Sequence, residues 1–76
     1  NALPRVTILN SGNVGIGTIS PSASTLLDLT STTAAFLPPR MTTAQRDALT
    51  AINGMIIYNS TTGAMNYYKA GVWTAI

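Results

Sequence analysis

Two consecutive prolines, Pro38 and Pro39, set the strongest local constraint in this chain. Each fixes φ at about −65° and removes a backbone donor, so Leu37 and Pro38 are driven into extended geometry. Thr42 follows three residues after Pro39, with Gln45 three residues further on. That spacing is a capping box: the Thr42 hydroxyl accepts from the Gln45 amide while the Gln45 side chain accepts from the Thr42 amide. The pattern predicts a helix from about Thr43 to Ile52, with Asn53-Gly54 as its left-handed stop. Ala44, Ala48, Leu49 and Ile52 would form its inner face. A helix of roughly ten residues does not persist alone in water, so it must be held from outside.

What holds it is a question of composition. A chain of 76 residues allows one domain, and a domain of this size buries only about 60% of the surface its unfolded chain exposes. Small domains add disulfides, a metal or a partner chain. Cysteine and histidine are both absent, which removes disulfides and thiolate or imidazole metal sites and leaves the redox compartment open. Charged residues make up only 8% of the chain and mean hydropathy is +0.28. A monomer so poor in charge would present a large apolar surface to water, as interfaces do. Self-association is the remaining support.

The net charge of +2 arises from Arg5, Arg40, Arg46 and Lys69 against Asp28 and Asp47. Four dispersed cations form no stripe able to track phosphates, so nucleic acid is not expected as a partner. No apolar run approaches the roughly 18 residues of a spanning helix, and no membrane insertion is expected. The opening Asn1-Ala2-Leu3 shows no signal-peptide pattern and reads as the interior of something longer.

Arg5 to Leu9 has the β-branched content of a short strand, and Asn10 to Asn13 that of a turn. In Val14-Gly15-Ile16-Gly17-Thr18 an extended backbone puts Val14, Ile16 and Thr18 on one face and the two glycines on the other. A glycine face implies close approach of another backbone or a bulky side chain. A phosphate-binding loop is the functional alternative, but the lysine of a P-loop and the third glycine of a dinucleotide fingerprint are missing. If chains meet here, Val14, Gly15, Ile16 and Gly17 form the inter-chain contact. In Leu26-Leu27-Asp28-Leu29 the residues Leu27 and Leu29 face one side, Leu26 and Asp28 the other. Beyond the helix, Met55–Asn59, Ala64–Lys69 and Val72–Ile76 are separated by turn residues and read as a three-stranded meander.

Two stretches carry a resemblance. Gly12-Asn13-Val14-Gly15-Ile16-Gly17-Thr18, then Ser20-Pro21-Ser22-Ala23 and Leu26-Leu27-Asp28-Leu29, resembles a segment common in phage tail fibres and tail spikes. Phe36 to Ala48, then Gly54-Met55-Ile56-Ile57-Tyr58-Asn59, Tyr67-Tyr68 and Trp73, is similar to a module of fibre-like proteins in phages, large DNA viruses, their satellites and bacterial surface proteins. The sequence departs from these patterns at Ile19, where Thr is common, and at Ala51-Ile52-Asn53, where an approach containing proline is more usual. The resemblance implies a trimeric fibre part on a virion, at a tip or between shaft segments, or a module of a bacterial surface adhesin. The expected fold is all-β with one short α-helix, a small intertwined homotrimeric module ending in a three-stranded antiparallel meander. Residues 1–76 form a single module, with 1–33 a Gly-rich extended segment and 34–76 a head of helix plus meander.

The catalytic inventory is nearly empty. Without histidine, cysteine or glutamate, acid–base work would fall to Asp28 and Asp47, which sit in different elements, and neither an enzyme nor a cofactor is expected. Asp28 and Arg40 are read either as a receptor contact or as a partly buried ion pair that fixes register, since buried charges need partners. Arg46 and Asp47 read as a solvated pair on an exposed helix face. Tyr58, Tyr67, Tyr68 and Trp73 are either core or the stacking surface for a host glycan or protein, and alternation sends Tyr67 and Tyr68 to opposite sides of their strand. Tyr67, Tyr68 and Trp73 are the candidate receptor contacts. Asn59-Ser60-Thr61 fits the glycosylation acceptor pattern, and no role is assigned to it.

Overall fold

The computed structural model describes residues 5–76; the opening Asn1-Ala2-Leu3 lies outside that range. The chain divides into two compact units after Phe36, and each has a sheet of its own. The architecture is all-β with one short helix.

In the first unit β1 (Val6–Ile8), β2 (Val14–Ile16) and β3 (Leu27–Leu29) form a sheet in that order. The short strand expected within Arg5 to Leu9 is present as β1, and the segment expected to be Gly-rich and extended builds a sheet with it. The β1–β2 hairpin is antiparallel and closes through Leu9 N–H to the Asn13 carbonyl at 2.9 Å. β3 runs parallel to β2, so the chain must cross from one end of the sheet to the other between them. Residues 17–26 make that crossing. Gly17 ends β2 at φ +83°, a conformation an L side chain rarely adopts. It also lies so close to the Thr30 carbonyl that an added Cβ would overlap the oxygen.

In the second unit β4 (Arg40–Met41), β5 (Ile56–Asn59), β6 (Ala64–Lys69) and β7 (Val72–Ala75) form a sheet in sequence order. The expected meander is present as β5–β6–β7, antiparallel throughout. Its turn at Ala70-Gly71 has positive φ at both positions (+52° and +81°), as a tight two-residue hairpin requires. The fourth strand has only two residues and pairs parallel with β5. Pro38-Pro39 precedes it, and the Pro39 carbonyl accepts from the Tyr58 amide at 2.8 Å. The prolines thus deliver an extended chain to the sheet edge, where their missing N–H groups cost nothing.

The helix α1 covers Thr43–Asp47 and closes its capping box: Gln45 N–H donates to Thr42 Oγ1 at 3.2 Å and Thr42 N–H to Gln45 Oε1 at 2.9 Å. It is half the expected length. Ala48 is the C-cap, its N–H divided between the Ala44 and Gln45 carbonyls, and Leu49 N–H reaches only back to Arg46. Tightened bonds of this kind finish a helix rather than extend it. Asn53-Gly54 is a separate turn before β5, with Gly54 N–H donating to the Tyr68 carbonyl at 2.8 Å. The expected inner face is corrected as well. Ala44, Ala48, Leu49 and Ile52 are all exposed, while Thr43 and Arg46 are the half-buried positions.

Gly17→Ala should lower stability by about 2 kcal/mol, combining left-handed strain with overlap against a backbone atom. Gly12→Ala, where φ is +92° but nothing lies within 4 Å, carries only the strain. Urea unfolding should rank Gly17→Ala well below Gly12→Ala, with the gap independent of protein concentration because the overlap is within one chain. Equal midpoints for the two variants would show that the Thr30 approach does not matter.

Candidate functional site

Strand register sorts the first sheet into rows. Val6, Ile16 and Leu29 lie side by side, as do Ile8, Val14 and Leu27, and between them Thr7, Gly15 and Asp28 form a middle row. Alternation sends the two outer rows to one face and the middle row to the other. The face that the chain covers is the middle one. Pro21 is buried there, and its Cγ stands 2.7 Å from where a Gly15 Cβ would be, with Thr18 at 2.9 Å. The close approach that the glycine face implied is therefore made by the chain's own crossing loop. The opposite face holds Val6, Ile8, Val14, Ile16, Leu27 and Leu29, and all but the half-buried Val14 are 44 to 73% exposed. A sheet that covers its polar row and turns six aliphatic side chains outward is the inverse of a self-sufficient domain.

Asp28 sits in the covered row, half-buried, and its carboxylate accepts from Ser22 N–H at 2.9 Å and from Thr30 Oγ1 at 3.1 Å. The Ser22 amide first, then the Thr30 hydroxyl, hold its carboxyl below the usual carboxylate range. The charge thus has partners inside its own unit. Arg40 is exposed at the start of β4 in the other unit.

The second unit is organised by a polar side chain. Asn59 is fully buried at 0% exposure. Its Oδ1 accepts from the amides of Thr61 (2.9 Å) and Thr62 (3.2 Å), and its Nδ2 donates to Thr43 Oγ1 and Asn66 Oδ1, both at 3.0 Å. The turn after β5, the start of α1 and the middle of β6 are joined through this one carboxamide. Its burial rules out glycosylation of the folded chain at the Asn59-Ser60-Thr61 pattern. Asn66 accepts a further bond from Arg46 Nη1 at 3.0 Å. Arg46 is not the solvated side chain expected of it. Its guanidinium also binds Asp47 Oδ1 at 2.8 Å, the one ion pair among the described residues, and lies 5.7 Å from the Trp73 ring centre. Composition hides this role, because an Arg-Asp pair on a short helix reads as surface. The capping box fixing the helix beside β5 and β6 is the available signal.

The aromatic candidates separate. Tyr68 and Trp73 are directly paired across β6 and β7, edge to face with centroids 5.1 Å apart, on the sheet face that α1 covers. Tyr67 points to the other face, paired with Ile56 and Thr74, and lines an open concavity with Gly54, Ile56, Ala75 and Ile76. Lys69 Nζ lies 6.0 Å from its ring centre. Among the described residues no group of acidic side chains has the arrangement of a metal site, and no helix is long and apolar enough to cross a membrane.

Residues 15–76 match the family model described as a phage tail like trimerisation region, which takes in all of the second unit and the first from Gly15 onward. The chain belongs to this family. The region is a structural component of the phage tail type, and its description points to self-association in threes. No match appears among the curated proteins or the solved structures.

Asn59→Ala should destabilise the trimerisation region by about 3 kcal/mol, because it strands two turn amides and a strand carboxamide away from water. A loss under about 1 kcal/mol in urea unfolding would mean that Asn59 merely fills space. For Asp28 the sign follows from the lowered carboxyl. Its contribution is fully present above the unfolded value of about 3.9 and is lost as pH falls through the lower folded value. Melting temperature should therefore drop on acidification below about pH 4, and Asp28→Asn should flatten that drop. Parallel curves for parent and variant would remove Asp28 from the acid response.

Proposed function

We propose that the chain is a homotrimeric segment or tip of a phage-like fibre, intertwined about the aliphatic face of β1–β2–β3, and that it presents or contacts the host surface as part of a virion. The observation that carries this reading is the two-row face of Val6, Ile8, Val14, Ile16, Leu27 and Leu29, which no part of its own unit covers. Burying a Val, Ile or Leu side chain contributes about 1.5–3 kcal/mol, so six per chain supply a driving force that the sparse interior lacks. Val14 and Ile16 are the central pair of this seam. Gly15 and Gly17 serve it indirectly, Gly15 by letting the crossing loop lie close on the far side of β2 and Gly17 by letting the chain after β3 approach at Thr30.

A second reading, a head that binds a host glycan or protein, rests on Tyr67. Of Tyr67, Tyr68 and Trp73 it is the one on the open face, beside Lys69 and an apolar concavity. Tyr68 and Trp73 support this reading less, because they stack on each other beneath Arg46. A module of a bacterial surface adhesin would use the same seam and the same tyrosine.

Sedimentation equilibrium at micromolar concentration should return three times the chain mass for the parent. Ile16→Asp, which sets a charge in the middle of the seam, should shift the population to monomer. A parent that is folded and monomeric, or an Ile16→Asp variant that stays trimeric, would overturn the proposal.

A further inference from the structure

The aliphatic sheet face is not the only uncovered apolar surface. Between the units the chain runs extended through Ala34, Ala35, Phe36 and Leu37, all exposed, with Phe36 at 65% and Leu37 at 64%. Among the described residues no backbone hydrogen bond involves Ala35, Phe36 or Leu37. A phenylalanine and a leucine adjacent in an unpaired segment, immediately before two rigid prolines, are costly in water. The prolines hold Leu37 and Pro38 extended, which stops the segment from coiling back at that end.

Symmetry links the two surfaces. A face that meets an identical copy of itself closes a twofold pair, whereas a closed ring of three brings one surface of each copy against a different surface of the next. A trimer therefore needs two complementary surfaces per chain. The sheet face offers roughly 500 Å² of exposed apolar area and Phe36-Leu37 roughly 250 Å², so one contact brings together roughly 750 Å² counting both sides, about half of the ~1,600 Å² total of a standard stable interface, and the ring repeats that contact three times. Neither surface carries a charged residue, so their contact strands no ion. Phe36 lies seven residues beyond the end of β3, a reach of up to about 23 Å, while a three-stranded sheet is only about 10–15 Å wide. The arm can clear its own sheet.

We propose that Phe36 and Leu37 of one copy seat on the β1–β2–β3 face of the next copy, around a closed ring of three. The inference rests on the homotrimer reading and adds to it a direction: each chain gives an arm to one neighbour and receives one from the other. Phe36 is the anchor, because an aromatic ring inserted between two aliphatic rows contributes the largest area of any side chain in the arm.

The chain has no cysteine, so introduced thiols are unambiguous. The double variant Ile8→Cys/Leu37→Cys, treated with a flexible bis-maleimide and run under denaturing conditions, should give a covalently closed trimer. Native mass is measured on the same sample. A native trimer whose chains carry only internal cross-links would place the arm on its own sheet and overturn the inference. A native trimer without cross-links would place the arm elsewhere and overturn it equally, and in both cases the trimer itself stands. A parent chain that is monomeric when measured beside it would instead remove the homotrimer reading and the inference together. Phe36→Ala gives a second measure. It should raise the concentration at which the trimer dissociates at least tenfold while leaving the circular dichroism spectrum of the dissociated chain unchanged. Dissociation at the parent concentration would show that Phe36 is not an anchor.

Discussion

The Asn59 carboxamide occupies the position that a leucine would hold in an ordinary small domain, and the second unit is arranged around it. A leucine there would pack against its neighbours without regard to direction. The carboxamide instead has two acceptor and two donor sites, and the chain meets them with the Thr61 and Thr62 amides, the Thr43 hydroxyl and Asn66. A fully satisfied buried polar network contributes little net energy per bond but penalises every arrangement that breaks one of them. This explains how a five-residue helix can hold its place. Thr43 is tied through Asn59, and Arg46 through Asn66 and Trp73, so α1 is positioned by directed bonds rather than by an apolar stripe. Ile57, 3% exposed, is the fully buried hydrophobe of the described residues, which leaves the network little apolar packing to lean on.

The first unit solves the same shortage differently. A three-residue strand with glycine at its centre leaves a groove, and Pro21 fills it. Asp28 then fastens the crossing loop through the Ser22 amide. These contacts use the small and polar residues of the segment for the chain's own closure. The aliphatic ones remain, and alternation leaves them a single place to go. Their outward direction is thus fixed by register. Shifting any of the three strands by one residue would turn aliphatic side chains under the loop and expose Thr7, Gly15 or Asp28.

How much of this is legible in the residues alone depends on whether the signal is local. Thr42 and Gln45 mark the helix start through bonds made within four residues, and the strands of the meander are bounded by turn residues beside them. The helix end is not legible, because Ala44, Ala48, Leu49 and Ile52 show a helical spacing that the tertiary contacts of Thr43 and Arg46 override. β4 escapes for a similar reason. Two residues after a double proline carry no periodicity, and only the distant β5 makes them a strand. The glycines of β2 do mark a site of close approach, but a sequence does not say whether the neighbour is the same chain or another. Arg46 is the least legible of all. Its role depends on Asn66 and Trp73, twenty and twenty-seven residues away, and no spacing rule joins them.

The two units divide their residues in a way that couples folding to assembly. Polar side chains with defined directions are used inside each unit, where they specify one arrangement. Large aliphatic side chains are left outside, where they can stabilise only by meeting something else. In a monomer the second group exposes apolar surface, and the first yields about 1 kcal/mol per bond against a comparable entropy for every residue ordered. A chain built this way has little reason to be stable alone and much to gain from association, since anything that binds the folded form and not the unfolded one adds its binding free energy to stability. The polar interior then has a further consequence for specificity. Within the first unit Gly15 and Asp28 hold the register that turns the aliphatic rows outward, so any apolar contact made by that face, which has no direction of its own, inherits direction from them.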